Sequence, residues 1–91
     1  MVYNFNLKRI DDVQLKSIEW EVFEQLVKFN GAPIKAPQIR KLINERYPNK
    51  DFAENTIRIY IGNINKKANN LISNRYQYGY YLNQEVQLMW R

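Results

Sequence analysis

The chain contains no cysteine and no histidine. Those absences exclude disulfides, thiol chemistry, zinc sites built from Cys and His, and every Ser-His or Cys-His nucleophile pair. Hydroxyl nucleophiles are scarce too: Ser17, Ser73 and Thr56 are the whole set, with no imidazole to activate them. Glycine and proline number three each, and no linker or low-complexity segment is present. No apolar run exceeds three residues, far below the roughly 20 of a membrane-spanning helix. Residues 1–10 lack the apolar stretch of a signal peptide. The expectation is a cytoplasmic chain with no membrane segment, no enzymatic activity, and no cofactor or metal.

What is present is globular. Ninety-one residues, 45% of them hydrophobic and 14% aromatic, suffice for one small core and not for two. The net charge of +5 is unevenly spread. Residues 1–34 sum to −1, residues 35–75 to +6, and residues 76–91 cancel. A basic centre beside an acidic first third suits a face aimed at a polyanion, most often nucleic acid. Net charge that serves only solubility is the competing reading.

Periodicity sets the elements. Residues 1–15 alternate apolar and polar (Val2, Tyr3, Phe5, Leu7), and Asp11-Asp12 offers a turn before Val13, so they read as an N-terminal β-hairpin. Residues 17–30 read as a helix capped by Ser17, with Ile18, Val22, Leu26 and Phe29 on its apolar face, Glu19, Glu21 and Glu24 on its rim, and Asn30-Gly31 as its stop. A second helix is expected over 36–47, opened by Pro37, faced by Ile39, Leu42 and Ile43, and closed by Pro48. Asp51 or a neighbour then caps a third helix over 53–69. At about 100° per residue, Ile57, Ile61, Ile64 and Ala68 share one arc of it. Residues 71–82 form a hairpin through a Gly-containing link. Residues 83–91 are a tail that either adds a strand or packs loosely.

The arc of the third helix opposite its isoleucines holds Asn55, Ile59, Gly62, Asn63 and Lys66, flanked by Arg58 and Asn65. An ordinary solvated face carries Glu and Lys in pairs four apart. This one carries amides, one branched apolar residue and a glycine that costs a helix about 1 kcal/mol.

Hairpin, three helices, hairpin is the order of an α+β winged helix-turn-helix with an added N-terminal sheet. The residues from about 15 to 82 resemble the DNA-binding effector domain of the OmpR/PhoB family of bacterial response regulators. That family's third helix reads roughly T-V-D-V-H-I-S-R-L-R-K-K-L, against Thr56-Ile57-Arg58-Ile59-Tyr60-Ile61-Gly62-Asn63-Ile64-Asn65-Lys66-Lys67-Ala68 here. Its wing reads roughly I-R-T-V-R-G-V-G-Y-R-L, against Ile72-Ser73-Asn74-Arg75-Tyr76-Gln77-Tyr78-Gly79-Tyr80-Tyr81-Leu82. The first helix, Glu19-Trp20-Glu21-Val22-Phe23-Glu24-Gln25-Leu26, matches E-F-x-L-L-x-x-L. Departures are specific: two helix arginines become Asn63 and Asn65, the histidine becomes Tyr60, and the wing arginine becomes Tyr76. The N-terminal sheet reads as shorter than the family's four strands. No receiver domain stands in the sequence, which suits either a fragment or a stand-alone protein.

The resemblance implies double-stranded DNA as partner, transcription regulation, and tandem or dimeric self-association on direct repeats. It also implies residues 47–52 as a contact for RNA polymerase. On this reading the base-side candidates are Asn55, Arg58, Ile59, Asn63 and Lys66, with Asn65 beside them. Asn suits adenine, Arg and Lys suit guanine, and a branched apolar group suits the thymine methyl. Thr56, Tyr60 and Lys67 flank them as phosphate contacts. Arg75, Tyr76 and Gln77 at the wing tip are assigned to the minor groove, and Lys35, Arg40 and Lys41 to the backbone. Plainer readings stand beside these: exposed Asn in a chain with twelve of them, Tyr60 as a core-edge aromatic, wing tyrosines packed on the sheet, and Trp20 and Trp90 as core or subunit contacts. The alternative function is a winged-helix protein–protein module without DNA affinity, suggested by the lost arginines and the apolar Leu88-Met89-Trp90.

Overall fold

A computed structural model describes residues 2–4, 7–10, 13–29, 31–83 and 87–89. Within these the chain is α+β: helices α1 (Ser17–Lys28), α2 (Ala36–Arg46) and α3 (Glu54–Lys67), and strands β1 (Val2–Asn4), β2 (Arg9–Ile10), β3 (Val13–Gln14), β4 (Ile72–Arg75), β5 (Gly79–Leu82) and β6 (Gln87–Met89).

α1 is the central element, touching α2, α3 and β5. It buries Trp20, Val22, Phe23 and Leu26, and each such large side chain contributes about 1.5–3 kcal/mol relative to exposure. Because two helices cover it, the expected acidic rim is not a rim. Glu19 and Glu21 are buried, and each has a cation: Lys67 Nζ lies 2.7 Å from Glu19 Oε1, and Arg46 Nε lies 3.2 Å from Glu21 Oε2. The Tyr47 hydroxyl donates to Glu21 Oε1 at 3.3 Å; burial, and then that carboxylate, push the phenol above its ordinary 10.0. Ser17 is not the cap. Lys16 holds that position, and Glu19 Oε1 accepts its N–H at 3.0 Å. The helix ends at Lys28 rather than 30; Asn30 lies outside the described residues.

α2 buries Ala36, Ile39 and Ile43, and α3 buries Ile57, Ile61 and Ile64, as their spacing demands. α2 closes one residue early, with Tyr47 as its cap, and α3 runs over 54–67 rather than 53–69. Ala53, not Asp51, precedes α3, because the connection is tied elsewhere. The Asn44 amide bonds both the N–H (2.8 Å) and the carbonyl (3.3 Å) of Phe52. Arg40 Nε donates to the same carbonyl at 2.7 Å, and Asp51 pairs with the Arg40 guanidinium at 3.2 Å.

Strands β4 and β5 pair antiparallel from Ile72↔Leu82 to Arg75↔Gly79. The hairpin is fastened at both strands. Asn65 of α3 accepts the Ile72 N–H at 2.8 Å and donates to the Ile72 carbonyl at 2.9 Å. Tyr80 exchanges backbone hydrogen bonds with Ile34 of the α1–α2 connection, at 2.8 and 2.9 Å. That bridge explains Gly79: its φ is +117°, and a Cβ there would run into the Ile34 carbonyl.

The N-terminal region departs from expectation. Instead of a two-stranded hairpin, the first three strands and the C-terminal strand form a four-stranded sheet in the order β3-β2-β1-β6. β1–β2 and β2–β3 are antiparallel, whereas β6 lies parallel to β1 with Val2 beside Gln87. The tail therefore supplies a strand, and Ile10 and Leu15 close the core beneath the sheet. Residues 11 and 12, where the sequence suggests a turn, and Trp90 lie outside the described residues.

Candidate functional site

The three buried isoleucines of α3 turn its opposite face outward. Asn55, Arg58, Ile59, Gly62 and Lys66 are exposed there and Asn63 is half-buried. Ile59 keeps 52% of its surface open, and space above Gly62 is empty. None of the described residues covers this face. Gly62 has no positive φ to justify it and no close neighbour among the described residues, so packing against them does not explain a glycine at this point.

Two open clefts flank the strip. One, of about 390 Å³, lies between the start of α2, α3 and the hairpin; Lys35, Pro37, Arg58, Asn74, Gln77 and Tyr80 line it. The other, of about 240 Å³, lies toward α1 and is lined by Lys16, Glu19, Asn63, Lys66 and Lys67. Each cleft brings cations from different elements together. Arg58 is also held by Glu54 at 3.0 Å, an exposed pair one helical turn apart. Such a pair is worth only about 0.3–0.5 kcal/mol, so it biases the guanidinium without locking it.

The hairpin tip carries Tyr76 and Tyr78, 84% and 63% exposed. The Arg75 guanidinium sits over the Tyr78 ring at 5.4 Å, and the Tyr78 N–H closes the turn on the Arg75 carbonyl at 2.9 Å. Gln77 takes a φ of +68° within that turn.

Compared with known proteins, the chain matches no family model, no curated protein and no solved structure.

The geometry sorts the residues singled out in the sequence. Lys35, Arg58 and Gln77 share one cleft, and Asn63, Lys66 and Lys67 share the other, while Asn55 and Ile59 lie between. Four of them have partners within the fold. Asn65 is turned to the Ile72 backbone and is withdrawn from the outer face. Lys67 is spent on buried Glu19, which its hydrogen bond and charge require. Burial alone would raise the Glu19 carboxyl, but the Lys67 hydrogen bond, the Lys16 N–H and the charges of both lysines outweigh it and hold it below its usual 4.5. Arg40 belongs to the α2–α3 connection through Phe52 and Asp51. Tyr60 is a core-edge ring, edge-on to Phe52 at 6.4 Å, and Thr56 is half-buried beside it. The expectation that wing tyrosines pack on the sheet fails at Tyr76 and Tyr78, whose loop lies beyond the last paired residues, Arg75 and Gly79. Lys41 is exposed on the side of α2 away from Ile39 and Ile43, and neither cleft includes it.

Sequence reading missed Lys16. Lys16 precedes a helix remote in sequence from α3, and only the packing of α1 on α3 brings it to the cleft. No local signal marks it.

Proposed function

We propose that this chain is a winged helix-turn-helix domain of the OmpR/PhoB type that binds double-stranded DNA sequence-specifically in transcription regulation. In this reading α3 enters the major groove and the β4–β5 hairpin acts as the wing. The observation that carries it is the uncovered α3 face: amides, an exposed isoleucine and an otherwise unexplained glycine between two cation-lined clefts. A major groove about 12 Å wide admits one helix, and phosphates on its two walls suit cations on both sides of that helix. The central excess of +6 supports the same polyanion. Lys35 and Arg58 would meet one wall, and Lys16 and Lys66 the other. Arg75 would approach the minor groove, where narrow A·T tracts attract cations. A cytoplasmic setting, self-association on repeated sites and a polymerase contact through residues 47–52 complete the proposal.

Fluorescence anisotropy with random duplex at low and moderate salt tests it. Micromolar, salt-sensitive binding is expected, and Lys66→Ala with Arg75→Ala should weaken it and flatten its salt dependence. Binding absent at every salt concentration would favour a protein–protein module. Tyr76 and Tyr78, exposed together at the hairpin tip, are the surface that second reading would use.

A further inference from the structure

We infer that the outer strip of α3 reads A·T base pairs, with Asn55 and Asn63 each addressing an adenine and Ile59 a thymine methyl between them. The inference rests on the duplex-binding reading and adds what that reading leaves open, the class of sequence recognised.

The strip is defined by spacing. Asn55, Ile59 and Asn63 recur every fourth residue, which places neighbours about 6 Å apart along the helix and the outer pair about 12 Å apart. Against a base-pair rise of about 3.4 Å, the row covers three to four base pairs. Its chemistry is neutral. An Asn amide presents one donor and one acceptor side by side, matching the N6 amino group and N7 of adenine. Guanine offers two acceptors at the same edge, so the amide oxygen would face O6 with no proton between them. Ile59 gains contact from a thymine methyl, but opposite a G·C pair it would leave the cytosine amino donor unpaired.

Of the groups suited to guanine, Arg58 is displaced to the side, in the hairpin-side cleft with Lys35 and paired to Glu54, while Lys66 stays on the strip one turn past Gly62 and lines the other cleft together with Lys16 and Asn63. Gly62 lies between Ile59 and Lys66 with nothing above it, which lets the helix axis approach closely enough for short amides to reach base edges. Asn65, the remaining amide of the segment, is occupied by Ile72 and takes no part.

The experiment is selection of duplexes from a random pool by the whole chain, followed by anisotropy with chemically altered versions of the selected site. The expected core is three to four pairs of A·T, and replacing one by G·C should weaken binding on the order of tenfold. Deoxyuridine in place of thymidine removes only the methyl; it should weaken binding several-fold for the native chain and not for Ile59→Ala. 7-Deazaadenine removes N7 and should weaken the native chain, but have no further effect at the affected position in Asn55→Ala or Asn63→Ala. Salt-sensitive duplex binding with a G·C core overturns the inference and leaves the sequence-specific reading standing; binding with no base preference overturns the inference and the specificity of that reading, leaving duplex binding alone. No retained duplex at any salt concentration overturns both.

Discussion

The Asn65 side chain holds both backbone polar groups of Ile72, accepting its N–H at 2.8 Å and donating to its carbonyl at 2.9 Å. One helix side chain thereby does for the first residue of β4 what a neighbouring strand would do. Asn44 makes the same two bonds to Phe52 ahead of α3. Both junctions of α3 are thus set by an asparagine amide, and the helix presents its outer face in a fixed direction relative to α2 and the hairpin.

Asn65→Ala strands two polar groups of a buried residue, so a loss of about 2 kcal/mol in urea unfolding is expected. Duplex affinity of the folded fraction should fall less than in Asn63→Ala, because Asn65 acts only through the setting of the hairpin against α3. Asn63→Ala should do the opposite, altering affinity while stability stays within about 0.5 kcal/mol. Equal behaviour of the two variants would contradict the division of roles between them.

Gly79 and Gly62 should respond in opposite senses to alanine. At Gly79 the new Cβ meets the Ile34 carbonyl in a left-handed backbone, and a loss of about 3 kcal/mol or more is expected from thermal unfolding. At Gly62 the site is helical and open, so alanine should stabilise by about 1 kcal/mol. The same substitution should weaken duplex binding, because it adds bulk where the helix meets the groove.

Glu19 ties stability to acid. Its carboxyl is held below 4.5 in the folded chain, so its contribution is complete above that value and is lost as pH falls through the lower, folded value. Glu19→Gln should be less stable at pH 7, and circular dichroism melts should show a flatter decline below pH 4.5 than in the native chain. Identical acid slopes would remove the Glu19–Lys67 pair from the explanation.

Glu54 stands beside the proposed duplex face and pairs with Arg58. Glu54→Gln removes one negative charge and releases the guanidinium, so duplex affinity should rise several-fold at low salt and converge with the native value as salt increases. Anisotropy titrations at two ionic strengths measure this directly.

Much of the helical part was legible before any coordinates. Ile57, Ile61 and Ile64 recur at the helical period, so both the buried arc and the outer arc of α3 follow from spacing alone. Pro37 and Gly31 mark helix boundaries through backbone constraints that do not depend on neighbours. What was not legible depended on partners distant in the chain. Glu19 and Glu21 look like surface residues until α2 and α3 are placed over them, and Lys67 looks like a free cation until Glu19, far back in the sequence, comes within 2.7 Å. Strands β2 and β3 have two residues each, too few to show a period. The partner of β1 on its other side is a strand from the opposite end of the sequence, which no local pattern reveals.

That last pairing sets an order of events during synthesis. A ribosome releases residues 2–4 long before residues 87–89, yet these strands lie side by side. The isoleucine-lined helices have their contacts available before residue 87 is made. One flank of β1 must stay unpaired until then, so a nascent protein halted before residue 87 would expose that strand edge to any other extended polypeptide nearby.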